Sequence, residues 1–400
     1  MDGAERSRLD WLDALRAVAA LVVVFDHASY TFLPELRREL EPHFNTGRYG
    51  IMVFFFVSGY IVPASLERRG CVRSFWTGRI FRLCPLWAVA VTAVLVLDLA
   101  GVARVRADFG GQSVASVAVA HATLLQELLG TPNLLLVLWT LSYEMAFYLL
   151  VVALFTVRRH DRSAAVATTL AVLAAVGAVA GAGLPVSALS RLVGTGPLIA
   201  IAAAALAAAL CGASAGPPAL RVAGGVLGGV LALALVAFDS TVPQWESLVI
   251  LAVMFLGTAV HRAEHGGSSR RTAVRTAAVV LGCAVVSAYR YGDGAYFTRR
   301  GWIAAFLLAA LTFGAGLAVR RRRIPRPVAA LGVISYSLYL LHPVLLAVID
   351  GTAGRGRRDD PLSLVVFLAV LVPLCASTYR WVEAPGRSWG RRLARPPDRH

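Results

Sequence analysis

Apolar stretches of about twenty residues recur along the whole chain, separated by short arginine-rich links. About twenty predominantly apolar residues suffice to cross the hydrocarbon core of a bilayer as a helix. Within lipid, a helix satisfies its backbone N–H and C=O groups internally. The pattern therefore predicts an all-α, polytopic bundle of transmembrane helices. Twelve stretches qualify: Leu12 to Phe32, Tyr49 to about Leu66, Leu83 to Val102, Leu136 to Val157, and then about 164–183, 196–213, 220–238, 246–261, 273–289, 301–319, 328–349 and 361–382. One pair in the Ala/Gly-rich middle is short enough to be interfacial, so 10–12 spans are expected.

Charge supports the same architecture. Only 16% of the residues are charged, against about 25% in a soluble protein, and mean hydropathy is +0.67. The net charge is +16, and every one of the 39 counted bases is arginine. A basic total raises the question of nucleic acid, but these arginines cluster between spans, as the positive-inside rule requires. The clusters lie at Arg68 to Arg82, Arg158 to Arg162, His261 to Arg275 and Arg320 to Arg326, and in the tail RSWGRRLARPPDRH. An even number of crossings puts all of them, and both termini, on the cytoplasmic side. A transmembrane domain over 8–385 and a basic cytoplasmic tail over 386–400 follow. Absence of lysine with abundant Ala, Val and Gly points to a high-GC bacterial genome and so to a bacterial plasma membrane. The N-terminus lacks a signal-peptide cleavage pattern, and the first span is expected to remain as an anchor. Five cysteines are scattered singly, without CxxC or Cys/His spacing, and suggest neither a zinc site nor a disulfide framework.

The first span is unusual in carrying Asp13, Arg16, Asp26 and His27. Each ionisable group at mid-membrane costs about 2.5–3.5 kcal/mol on insertion scales, and such groups usually serve a pathway or a reaction. Arg16 and His27 are eleven residues apart, three turns plus about 20°, so they share one helix face with a rise of about 16 Å between them. Asp13 lies near the same stripe and Asp26 points away. With an ordinary pKa of about 6.5, His27 suits a general base or proton shuttle. The competing reading is a structural hydrogen bond between helices.

Four other groups rise above scaffold. In the loop after the second span, Arg79 and Arg82 are three apart on a helix start and face one way, with Arg73 upstream. Paired guanidiniums suit phosphate or pyrophosphate oxygens; ordinary positive-inside charge or lipid contact is the alternative. Trp139, Glu144, Phe147 and Tyr148 stand in the fourth span, where a buried carboxylate needs a partner, Arg16 or His27 being natural choices. The run ISYSLYLLHPV carries Ser335, Tyr336, Ser337, Tyr339 and His342, a polar face for a hydroxyl-bearing acceptor or a packing stripe. Finally, Glu383 and Pro385 in RWVEAPGR read as a helix stop at the inner surface.

Taken in order, LDALRAVAALVVVFDHA, GIMVFFFVSGYIV, the Arg79-x2-Arg82 pair, LWTLSYEMAFY, ISYSLYLLHPV and VEAP resemble the acyltransferase 3 family of integral-membrane acyltransferases, whose members modify surface polysaccharides, peptidoglycan and macrolides. The resemblance covers almost the whole chain. It implies that His27 is essential, with Arg16 tied to it through the family's Arg-x10-His spacing. It also implies that Arg79 and Arg82 bind coenzyme A phosphates at the cytoplasmic face, and that Glu144 belongs to the same central site. Many members carry an acidic residue where this chain has Met52, a departure bearing on the acceptor. With so little sequence after its last span, the chain is expected to lack the hydrolase-like domain fused to some members.

The expected activity is transfer of a short acyl group, acetyl by default, from acyl-CoA to a hydroxyl of a carbohydrate or glycosylated small molecule. His27 serves as base, and Arg16 or a nearby donor stabilises the developing negative charge. Asp13, Trp139, Tyr148, Ser337 and His342 are candidates for substrate contact. No metal and no permanently bound cofactor is expected, and the partners are the bilayer, acyl-CoA and the acceptor. The rival readings are a proton-coupled transporter using Arg16, His27 and Glu144 as a relay, which internal repeats would betray, and a purely structural subunit.

Overall fold

The computed structural model describes residues 10–103, 105, 107–181, 183, 185–294 and 297–394. Its principal helices are α1 (Asp10–Phe32), α2 (Pro34–Leu40), α3 (Thr46–Arg69), α4 (Val72–Leu99), α5 (Val114–Ala122), α6 (Trp139–Thr156), α7 (Ser163–Ala180), α8 (Ala188–Val193), α9 (Thr195–Ala213), α10 (Pro218–Phe238), α11 (Gln244–Glu264), α12 (Arg270–Tyr291), α13 (Arg299–Ala318), α14 (Arg326–Val333), α15 (Ser335–Thr352), α16 (Pro361–Thr378) and α17 (Ala384–Leu393). Among the described residues β structure is confined to one isolated bridge, Gly294 with Phe297. Among the described residues ten helices are long and apolar enough to cross a membrane, or eleven if the bent pair α14–α15 is one span. The protein is a multi-pass membrane protein, and the count falls within the expected range. The Ala/Gly-rich middle supplies full-length spans.

The chain divides into two compact units, 1–57 with 76–106 and 293–400, and 58–75 with 107–292. In the first unit α1 is the hub, with α2, α13, α14, α15 and α16 packed on it. Small residues allow this crowding. A Cβ on Gly50 would lie 2.7 Å from the Val23 side chain and 2.9 Å from the Ala19 carbonyl oxygen, and one on Gly332 would run into the Asp13 backbone. Trp11, Leu12, Leu15, Val23 and Val24 of α1 are buried. The chain bends by 64° between α14 and α15, because Ile334 leaves helical geometry at φ −90°, ψ 8°. At the other end of α15 the 350–360 segment is tied to α1 and α2. Thr31 Oγ1 donates to Asp350 at 2.9 Å, and Asp359 accepts from the Glu35 and Leu36 amides at 2.8 and 3.1 Å. α2 is thus capped by a carboxylate far away in sequence.

The expected helix stop near Pro385 is absent. α16 continues through one π-helical turn, Tyr379–Glu383, into α17, a 33-residue rod of about 50 Å. Proline clashes with the carbonyl four residues earlier in a regular α-helix. The wider turn before Pro385 relieves that conflict. α17 then lies on α4, where a Cβ on Gly386 would sit 3.0 Å from the Phe81 carbonyl oxygen and one on Gly390 2.6 Å from the Phe81 side chain. Residues 395–400 of the expected tail fall outside the described residues.

In the second unit, α7 packs with α11 and α12, and α10 with α6 and α9. Glycine again sets the approach: Gly228 faces Leu149 and Ala209, and Gly229 faces Ala153. The Ser58-Gly59 notch read from the sequence accepts α11, since a Cβ on Gly59 would strike the Met254 backbone. The 103–135 stretch is a short helix, α5, followed by a buried 3-10 turn, Gln126–Leu129. Glu127 accepts from Asn133 Nδ2 at 2.7 Å and from Thr241. The Tyr143 hydroxyl bridges Ser240 and Ser247 at 2.6 and 2.8 Å. This polar core escaped sequence reading because its members come from separate helices and loops.

His121, on the non-spanning α5, ties this region together. Its Nδ1–H donates to the Val117 carbonyl at 2.9 Å and its Nε2 accepts the Leu134 N–H at 3.1 Å. Only the neutral ring can do both. Burial, the main cause, lowers its pKa, partly opposed by the Val117 bond. A depressed histidine contributes stability that is complete above its ordinary value of about 6.5 and lost as pH falls below it toward the folded value. The thermal midpoint of the wild type should thus fall more steeply below pH 6.5 than that of His121→Gln. Equal slopes for the two proteins would exclude this role.

Candidate active site

Two polar foci in the first unit lie at opposite ends of the α1 stripe. At one, His27 Nδ1 is 2.8 Å from His342 Nε2, with ring centroids 5.0 Å apart and planes at 26°. His342 is fully buried, and its Nδ1 is 2.7 Å from the Leu338 carbonyl oxygen. A carbonyl only accepts, so Nδ1 of His342 carries the hydrogen. In the neutral ring its Nε2 then bears the lone pair, and His27 Nδ1–H must be the donor to it. Neutral His27 is left with a lone pair on Nε2. The tautomer of each ring is fixed in turn by one backbone oxygen.

This arrangement follows from local sequence. Pro343 has no N–H to offer the Tyr339 carbonyl, and His342, just before it, turns back onto Leu338 of its own helix. Tyr339 stands edge-on to His342 at 6.3 Å and to Phe54 at 5.5 Å. Asp26, expected to point away, nevertheless brings Oδ2 to 3.9 Å from His27 Nε2. Its Oδ1 accepts from Arg37 at 3.2 Å and from Thr46. Arg37 also donates to Glu41 at 2.8 Å and covers the Tyr30 ring at 3.4 Å. Beside Asp26 lies a shallow cleft, walled in part by Phe25, Asp26, Arg37, Glu41, Asn45 and Thr46, with room for about one water molecule.

At the other focus Arg16 Nη1 donates to Asp13 Oδ1 at 3.3 Å. Nearby in the same unit Glu383, almost fully buried, accepts from Ser337 Oγ at 3.1 Å and pairs with Arg387. Arg82 and Arg16 act on the same carboxylate electrostatically. Arg79, one turn before Arg82 on α4, is buried. The Tyr336 hydroxyl donates to the Leu83 carbonyl at 2.9 Å, joining α15 to α4.

Arg16, His27, Arg79 and Arg82 all belong to the first unit, and His342 and Ser337 have specific partners in His27 and Glu383. Sequence reading missed Asp26, Arg37 and Arg387. Arg387 was visible in principle, four residues after Glu383, the spacing of a helical ion pair. The second unit holds the remaining candidates. Glu144 accepts from the Tyr148 hydroxyl one turn along α6. Trp139 is edge-on to Tyr143 at 5.8 Å, and Tyr148 to Phe75 at 5.8 Å. Arg73 is exposed. Met52, in the first unit, is buried and faces the core. Among the described residues no cluster of His, Cys, Asp and Glu has the makings of a metal site.

Residues 9–380 match the family described as an acyltransferase domain, acyltransferase 3. The chain belongs to the acyltransferase 3 family. Two relatives from this comparison extend the picture. YrhL of Bacillus subtilis (strain 168), named as a peptidoglycan O-acetyltransferase, is 27% identical over 183 residues, covering 41% of this chain and 27% of that protein. The acyltransferase MdmB of Streptomyces mycarofaciens is 30% identical over 151 residues, covering 36% of this chain and 38% of its own. In both cases the matched segment spans well under half of the relative. No solved structure matches. In this acyltransferase 3 member Arg16 and His27 stand on a single helix, with each end in its own polar surroundings.

Proposed function

We propose that this protein is a membrane O-acyltransferase that moves a short acyl group, acetyl by default, from acyl-CoA to a hydroxyl of a carbohydrate or glycosylated acceptor in a bacterial plasma membrane. The observation that carries the reading is the Leu338–His342–His27 chain, which leaves a lone pair on His27 Nε2. His27 takes the proton of the acceptor hydroxyl as its oxygen attacks the thioester carbonyl. The resulting imidazolium lies against the His342 lone pair on one side and the Asp26 carboxylate, 3.9 Å away, on the other. Collapse of the tetrahedral intermediate breaks the C–S bond, and His27 returns its proton to the departing thiolate. A positioned base contributes about 10²–10⁴-fold, enough for an already activated thioester when both substrates are aligned.

Arg79 and Arg82 are the proposed clamp for the donor's phosphates, on the side that the arginine bias of the links makes cytoplasmic in this reading. Arg16, bonded to Asp13 about 16 Å along the helix from His27, fits this phosphate end better than the reacting carbonyl. The polar groups beside His27, Asp26 with Arg37 and Thr46, are the proposed contacts for a polyhydroxylated acceptor; surface polysaccharide and macrolide-type glycosides are the classes to try first. No step is assigned to Glu144, Trp139, Tyr148 or Arg73.

The test is transfer of label. Membranes containing the protein, given acetyl-CoA radiolabelled in the acetyl group and a carbohydrate-containing envelope fraction, should accumulate alkali-labile O-ester label. Label no higher than in membranes lacking the protein, with each acceptor class tried, would sink the reading.

A further inference from the structure

The phosphate end of α1 holds more positive charge than its carboxylates balance. Arg387 pairs with Glu383, and Arg82 and Arg16 act on the same carboxylate electrostatically, with Asp13 the other carboxylate of the group. Arg82 makes no hydrogen bond or ion pair among the described residues, although it is half-buried on α4. Arg387 gives one nitrogen to Glu383, yet its Nε–H is sequestered and meets no acceptor among the described residues. A guanidinium N–H shut away from water without an acceptor is costly, and it marks a place where an oxygen from outside the protein belongs. The packing of Gly386 and Gly390 on Phe81 and Pro85 holds α17 against the turn of α4 that carries Arg82. The segment after the last span is thereby part of the site and more than a basic tail.

We propose that Arg387 is a further arginine of the anion site, binding a pyrophosphate group together with Arg82, while Glu383, paired with Arg387, keeps that guanidinium in readiness as an internal stand-in for the group. Two forked guanidiniums converging from different helices match the oxygens of two linked phosphates better than a single charge does. Assigning this pyrophosphate to the acyl donor rests on the coenzyme A reading above; the anion site itself does not.

The assay is binding of radiolabelled inorganic pyrophosphate to the full-length protein in nanodiscs of zwitterionic lipid. Arg387→Gln and Arg82→Gln should each weaken binding at least tenfold. Arg391→Gln, one turn further along α17 and exposed, should bind like wild type. Glu383→Gln, which removes the competing carboxylate, should bind at least threefold more tightly, an outcome no merely structural role predicts. Should Arg387→Gln fail to fold because Glu383 is left unpaired, the double variant Glu383→Gln/Arg387→Gln removes both charges and must bind more weakly than Glu383→Gln alone. Equal binding by wild type and the Arg387 variants overturns the proposal, as does absence of binding by wild type. Nanodiscs containing phosphatidylglycerol, tested for thermal stabilisation without pyrophosphate, probe a lipid phosphate as the alternative source. Stabilisation by that lipid alone, with none by pyrophosphate, also overturns the proposal. Acetyl-CoA serves as competitor: if pyrophosphate follows the expected pattern but acetyl-CoA fails to displace it, the arginine site stands and the coenzyme A reading falls.

Discussion

His27→Ala is expected to reduce acyl transfer at least 100-fold, to the background of membranes lacking the protein, while leaving the amount of protein in the membrane unchanged. The first part follows from removing the ring nitrogen that the His27–His342–Leu338 chain leaves with its lone pair unshared, a base worth about 10²–10⁴-fold. The second follows from how little packing is lost. The His27 side chain is 15% exposed, and its removal leaves one buried acceptor, His342 Nε2, unsatisfied at a cost of about 1–3 kcal/mol. Initial rates of label transfer and quantified membrane content measure both parts. Undiminished transfer by the variant would remove His27 from the mechanism.

His342 should come second. It touches no reacting atom in the proposed chemistry and acts by orienting His27, so His342→Ala should lower kcat about 10- to 100-fold, the usual range for a residue that orients a ligand or base, with little change in KM for the donor. A residue needed only for packing would not discriminate among polar replacements. His342→Gln offers an amide oxygen to the His27 Nδ1–H and should recover part of the lost rate, whereas His342→Leu, similar in bulk and without an acceptor, should recover none. The pH–rate profile should also shift in His342→Leu, because the His27 imidazolium loses the neighbour that accepts its hydrogen bond. Identical rates and profiles for the Gln and Leu variants would reduce His342 to scaffold.

Much of the architecture was legible because lipid leaves a chain few options: apolar stretches of span length and arginine-rich links suffice to place nearly every helix. The Arg16/His27 stripe was legible too, since eleven residues of α-helix fix relative direction without tertiary information. What stayed hidden was pairing between helices. Nothing in the spacing of His27 and His342, 315 positions apart, says that their rings meet, and the natural guess gave His27 the charged partner Glu144. Likewise VEAP reads locally as a stop, because proline breaks regular helices; the π-helical turn that lets the helix continue has no signature in composition. Asp26 was set aside on angular grounds that hold for the Cα–Cβ direction, yet its carboxylate still comes within 3.9 Å of the imidazole.

The Leu338 carbonyl at the end of the histidine pair has a consequence for proton traffic. A proton entering at His27 Nε2 can be shared with His342, but the next oxygen in line is a peptide carbonyl, which accepts a hydrogen bond and has no proton of its own to pass onward. The chain of donors is a cul-de-sac. In the proposed transfer, a proton that His27 takes up at Nε2 leaves by the same nitrogen, so the pair would recycle one proton per turnover. A proton-coupled transporter needs a wire with two ends; a transferase, which must hand the proton back to its leaving group, needs a wire with one.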